Sequence, residues 1–243
     1  MRIALWDGGA FVANYSHSSR APALEELYNH GPHDGTLSFE IGDPNLKLES
    51  NNGLDFSLRQ QNKWINAEAN FFTYDIKNFV FLAPTGTDDP GSGLPIAEFL
   101  QGDSRFSGVE LNLDLKASKY LHFLGGYDYV RAELKDGRSL PRIAPLRGRF
   151  GIDAHYKGFS VRPEVLLIAD QNHVFENETP TQGYKTFNVT GSYIILKKHY
   201  AHTFSMNASN LGDEFYFNHI SFIKDISPGM GRAVKFGYTL RFF

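Results

Sequence analysis

Two of the nine histidines, His30 and His33, stand three residues apart and close to Asp34, Glu40 and Asp43. Imidazole nitrogen with carboxylate oxygen is a donor set that first-row metal ions accept, so these five residues are candidate ligand contacts, with His30 and His33 the candidate metal pair. The bland alternative is a solvated loop, because exposed histidines often occur without a ligand and no third donor is fixed here by spacing. His173 and His219, far downstream, either complete such a site or are themselves solvated. The absence of cysteine removes thiolate catalysis, disulfides and Cys-based metal centres. No Gly-x-Ser-x-Gly elbow and no His-Glu-x-x-His pair occurs, and Asp7-Gly8-Gly9 has no Lys-Ser/Thr after it to make a phosphate loop. Nothing arranges the available Asp, His and Ser as a triad, so no catalytic residue is assigned and a non-enzymatic protein is expected.

Lys and Arg number 24 against 27 Asp and Glu, a net charge of −3, and the basic residues form no stripe. A nucleic-acid partner is therefore not expected. The 243 residues are ample for a sizeable core. Phe, Tyr and Trp make up 14% of the chain, yet mean hydropathy is −0.33. No run approaches the roughly 20 apolar residues of a membrane-spanning helix. Met1 to Trp6 shows no basic region followed by an apolar run, so no signal peptide is visible.

Positions that must hold these side chains follow a period of two. Val234, Phe236, Tyr238, Leu240 and Phe242 alternate with Ala233, Lys235, Gly237, Thr239 and Arg241. Val109, Leu111, Leu113 and Leu115 alternate in the same way with Glu110, Asn112, Asp114 and Lys116. Successive strand side chains point to opposite faces, so each such segment has one apolar face and one polar face. Ten segments of this kind are predicted, at about 10–17, 50–60, 64–82, 104–116, 121–134, 146–156, 159–170, 184–196, 201–210 and 232–243. The gaps alternate long and short, which is the order of a transmembrane β-barrel with extended extracellular loops and tight periplasmic turns. Residues 83–103 are predicted as one of the long loops. Trp64, Tyr120, Tyr156, Phe159 and Tyr200 flank the short turns, where an interfacial aromatic girdle belongs. An antiparallel sandwich also alternates apolar and polar residues, but it has no physical reason to keep strict loop parity.

Five ordered motifs carry a resemblance to a family. Arg20-Ala-Pro22 followed by Glu26-Leu-Tyr28, Gly42-Asp-Pro-Asn-Leu46 followed by Glu49, and Gly108-Val-Glu110 come first. Asn210-Leu-Gly-Asp-Glu-Phe-Tyr216 and Pro228-Gly-Met-Gly-Arg232 come last. In this order and spacing the chain resembles the carboxyl-terminal part of TonB-dependent outer-membrane receptors. Asn29 to Thr36 with Phe39 to Asp43 is similar to a subgroup that includes zinc and haem receptors.

The resemblance implies an all-β, antiparallel transmembrane β-barrel portion in the outer membrane of a Gram-negative-type bacterium. It also implies uptake of a metal, siderophore, haem or similar scarce ligand, with energy supplied by the TonB system. Outer-membrane lipid, a plug domain and a small-molecule or metal ligand are the implied partners. No resident cofactor is implied. Family members carry a signal peptide, a TonB box, a plug and a barrel of about 22 strands, whereas residues 1–243 are expected to supply barrel strands alone. Met1 to Trp6 is expected to be the stub of a preceding strand, turned by Asp7-Gly8-Gly9, which makes a truncated frame or fragment the simplest account. Two alternatives stay open: a complete small barrel acting as a pore or surface enzyme, and a soluble β-rich binding module. The charged set Arg59, Glu68, Glu110, Asp114, Arg147, Arg149, Asp153, Arg162, Glu164 and Arg241 falls on the polar face, where paired and solvated charges are the first expectation. His122 and His155 are expected there as hydrogen-bonded wall residues.

Overall fold

The structure is a computed structural model that describes residues 2–243, with side chains described from residue 6 onward. Among the described residues a single antiparallel wall runs β1 (Arg2–Trp6), β2 (Gly9–Arg20), β5 (Glu49–Gln61), β6 (Ile65–Asp88), β7 (Pro95–Lys116) and β8 (Leu121–Leu134), each paired with the next. It continues through β9 (Arg147–Tyr156), β10 (Phe159–Ile168), β11 (Tyr184–Leu196), β12 (Tyr200–Ser209) and β13 (Ala233–Phe242). Each of the ten predicted segments is one of these strands, and residues 2–6 form the further strand β1. A short helix α1 (Leu24–Tyr28) and a hairpin of β3 (His30–His33) and β4 (Ser38–Ile41) lie between β2 and β5. Among the described residues the wall is not closed, with β1 and β13 at opposite ends of the strand order.

The two faces of the wall differ as the period predicts. Leu111, Phe123, Phe150, Leu167, Phe187 and Phe236 on one face are exposed, from 39% to 80%. On the other face charges meet across strand pairs: Arg59 with Glu68 at 2.9 Å, His122 with Asp114 at 3.0 Å, Arg147 with Asp128 at 2.8 Å, and Arg162 with Asp153. These are partly exposed pairs, which individually add little to stability. Gly108, from the Gly-x-Glu motif, sits on this face because a Cβ there would overlap the Phe72 ring and the Tyr129 carbonyl.

Residues 83–103 are not the predicted long loop. β6 and β7 run 24 and 22 residues and stay paired from Ile65–Leu115 up to Asp88–Pro95, with register shifts at Ile76/Phe79 and Pro84/Asp88. At about 3.4 Å per residue, even when tilted, such a hairpin far exceeds an apolar band of about 25 Å, so its upper half rises beyond the apolar zone of the wall. β4 joins its flank in parallel, Phe39 against Ile96. Pro84 and Gly86 fall at a register shift within the pairing, where hairpin pairing overrides local preference, while Pro90, Gly91 and Gly93 form the turn at the hairpin's tip.

The buried core lies in this raised region and not within the wall. Phe81, Ala83, Ala132, Leu134, Leu140 and Phe175 form one cluster, with Phe79, Phe106 and Ile143 packed against it. Leu140 is 1% exposed, and Phe81 meets Phe175 edge-on at 5.5 Å. Loop segments 135–146 and 169–183 are thereby bolted to the β6–β7 hairpin.

Candidate ligand site at the long-loop end

The last loop, residues 210–232, is closed by its own motif. Asn210 is 3% exposed and adopts φ of 48°. Its Nδ2 donates to the carbonyls of Glu214 at 2.9 Å and Met230 at 3.1 Å, and its Oδ1 accepts from the Glu214 amide at 2.9 Å. One amide side chain therefore ties the start of the loop to its end. Tyr216, last residue of the same motif, stacks on Tyr184 with ring centroids 4.0 Å apart, and a Cβ on Gly229 would overlap that ring.

Arg20 serves the first loop in a similar way. It meets Glu26 of α1 at 2.8 Å and Glu49 of β5 at 3.1 Å, so the Arg-Ala-Pro and Glu-Leu-Tyr elements anchor the chain where it leaves the wall.

Between the later loops lies a buried ionic cluster. Glu178 accepts from the Lys224 ammonium at 2.8 Å, from the Arg142 amide at 2.9 Å and from the Phe175 amide at 3.1 Å. The Glu178 and Lys224 side chains are 4% and 5% exposed. The Arg142 guanidinium stacks on Phe222 at 4.0 Å and donates to the Leu82 carbonyl. His219 is buried between them, with Nδ1 at 3.0 Å from the Thr181 hydroxyl and Nε2 at 3.4 Å from Glu178. Burial, then the Lys224 charge, holds the His219 pKa below its usual 6.5, against the pull of Glu178; Arg142 lowers it further and Asp225 opposes that. Segments 135–146, 169–183 and 210–232 thus share one set of charges.

A lowered folded pKa means that the opened loop binds a proton the closed loop refuses, so stability present above pH 6.5 falls as pH drops below that value. Hydrogen exchange across residues 210–232, corrected for its intrinsic pH dependence, is expected to show opening that becomes easier from pH 7 to 5. His219→Gln should flatten that slope; an unchanged slope in the variant would assign the titration elsewhere.

Beneath this cap, against the inner face of β6 to β11, is a cavity of about 300 Å³. Phe217, Asn218 and His219 roof it, while Phe72, Tyr184 and the Asp128–Arg147 pair line its wall and floor. It combines apolar ring surface with a few convergent polar groups, the usual make-up of a small-molecule site.

The residues singled out from the sequence are dispersed around this cap. His30 and His33 fall three apart in one strand, hence on opposite faces. His30 lies edge-on to Phe39 at 5.3 Å, whereas the His33 Nδ1 is 3.6 Å from the Glu40 carboxylate. Glu40 is buried and accepts from Thr36 at 2.7 Å and Asn29 at 2.8 Å. Asp43 accepts from the amide of Asn45 at 2.8 Å, shaping a local turn. Asp34 and His173 are exposed. His219 is buried in the ionic cluster and is not solvated. Among the described residues no group of three or more His, Asp or Glu side chains is placed to hold a metal ion. Glu178, Lys224, Arg142 and Asp128 were not singled out from the sequence; the lone lysine within Phe222-Ile223-Lys224-Asp225-Ile226 was the available signal.

Residues 4–211 match the family model described as TonB dependent receptor-like, beta-barrel, and the chain belongs to that family. Members of this family are Gram-negative outer-membrane proteins. The chain is 26% identical over 259 residues to heme/hemopexin utilization protein C of Haemophilus influenzae strain 86-028NP, covering 96% of this chain and 35% of that protein. Among solved structures, the copper transporter OprC superposes with a TM-score of 0.83 at 21% identity, over 99% of this chain and 38% of that one. The FrpB iron transporter from Neisseria meningitidis gives 0.71 at 16% identity, over 100% and 38%. The chain thus spans little more than a third of the length of these relatives, and the solved structures establish the fold.

Proposed function

We propose that this chain is part of the barrel wall and ligand-capturing cap of an outer-membrane uptake receptor, and that its cargo is a metal chelate with haem the first candidate. The single observation that carries this is the cavity of about 300 Å³ between the charged inner wall and the roof at Phe217 to His219. A ligand entering from the long-loop side meets stacked Tyr184 and Tyr216 and the Asp128–Arg147 pair before it reaches the lumen. His30, His33, Asp34, Asp43 and His173 supply polar contacts on the outer loops, suited to a chelate that brings its own metal, with buried Glu40 holding the hairpin that carries the first two. Release into the periplasm requires a plug and the TonB system in the intact receptor. The utilization and transport roles in the names of the relatives support a receptor and not an enzyme.

The test is ligand titration of the full chain refolded in detergent, using haem and a ferric catecholate as separate probes. Saturable binding of one probe is expected, weakened about tenfold by Tyr184→Ala, since loss of a well-packed ring costs on the order of 1 kcal/mol or more. Equal affinity in wild type and Tyr184→Ala would remove the cavity from the site.

A further inference from the structure

The net charge of −3 conceals a strong polarity between the two ends of the wall. Lys63, Lys119, Lys157, Lys197 and Lys198 occupy four successive short turns, all exposed. The only acidic residue on the short turns is Asp7, at the β1–β2 turn. At the opposite end, residues 169–183 carry Asp170, Glu176 and Glu178 with no lysine or arginine. Among the described residues none of the five turn lysines forms an ion pair with a carboxylate. Three of them instead lie over neighbouring rings: Lys63 over Trp64 at 5.0 Å, Lys119 over Tyr120 at 4.9 Å and Lys157 over Tyr156 at 5.2 Å. The rings are about half exposed, and the lipid-type face begins beside them at Leu115, Phe123 and Ile152.

Each pair therefore presents an ammonium next to an amphipathic ring, at the level where the apolar band ends. Successive turns are two strands apart, about 10 Å along the rim, comparable to the width of one phospholipid. We infer that the short-turn rim is a binding surface for anionic phospholipid headgroups, each lysine donating to a phosphate oxygen while its ring rests at the acyl boundary. A phosphate is the acceptor that an unpaired ammonium at this depth lacks, and the continuity with the apolar face points to a lipid and not to a soluble protein. This inference rests on the membrane placement under the proposed function, and the experiment separates the two.

Trp6 and Trp64 are the only tryptophans and both lie at this rim, so they report on the lipids that touch it. The full chain is inserted into phosphatidylcholine vesicles holding a minor share of phosphatidylglycerol, with brominated tails on one lipid at a time. Quenching is expected to show phosphatidylglycerol preferred at the rim about fivefold at low salt, the scale of one cation near an anionic surface. The preference should fall to unity in the variant carrying Lys63→Gln, Lys119→Gln and Lys157→Gln. It should persist in Lys47→Gln with Lys135→Gln, on the long-loop side. Equal quenching by both lipids in the unaltered chain overturns the headgroup surface while leaving the membrane placement intact. Absence of quenching by either lipid overturns both.

Discussion

Glu178→Gln is expected to open the loop cap. The substitution keeps size and shape but leaves Lys224 buried opposite a neutral amide, with Arg142 and His219 beside it. Removing one partner of a buried ion pair costs about 3–5 kcal/mol, because the remaining charge has neither water nor counter-charge. The amide also places a donor group where Glu178 now accepts from the backbone at Arg142 and Phe175, so one of those buried donors loses its partner as well. Loop-opening free energies from hydrogen exchange over 135–146, 169–183 and 210–232 should fall together, since one carboxylate serves all three. Adding Lys224→Met should restore much of the loss, because it removes the buried charge that Glu178→Gln leaves without a counter-charge. If the double variant is no better than the single one, desolvated charge is not the cause.

The second large effect concerns the wall. Leu111 and Asn70 are both mid-strand, but Leu111 is on the apolar face and Asn70 is on the charged face directly across from Glu110. Leu111→Arg is expected to destabilise the inserted chain by about 2–4 kcal/mol, the cost of a lipid-facing arginine near the midplane. Asn70→Arg should be close to neutral, because its new charge enters an aqueous face and meets a carboxylate that has no ion-pair partner among the described residues. Urea titration of vesicle-inserted protein measures both. Similar costs at the two positions would deny that the faces have different solvents.

These contrasts rest on how far each feature could be read from the sequence. The wall was legible because its period is two and its faces have opposite chemistry, so Val109 to Lys116 fixes both strand and orientation without any partner. The β6–β7 extension was not legible. Pro84 and Gly86 are loop formers locally, and only pairing between the two long strands, with the register shift at Pro84/Asp88 absorbing them, keeps them in the hairpin, while Pro90, Gly91 and Gly93 make the turn at its tip. The site divides in the same way. His30 and His33 stand out as residue types, yet strand geometry separates their rings, which spacing alone did not reveal. Glu178 and Lys224 are 46 residues apart and ordinary in sequence; only the packing of loops around Phe81 and Leu140 takes water away from them.

Placing the packed core in the loops and not in the wall has a calorimetric consequence. Water reaches apolar side chains when the cap comes apart, and that exposure raises the heat capacity. In the proposed membrane setting the outer surface of the wall is already dissolved in hydrocarbon, so its melting carries a much smaller increment. The thermal signature of this chain therefore belongs mostly to the cap, and a ligand bound under the proposed roof would act on the segment whose melting is easiest to see.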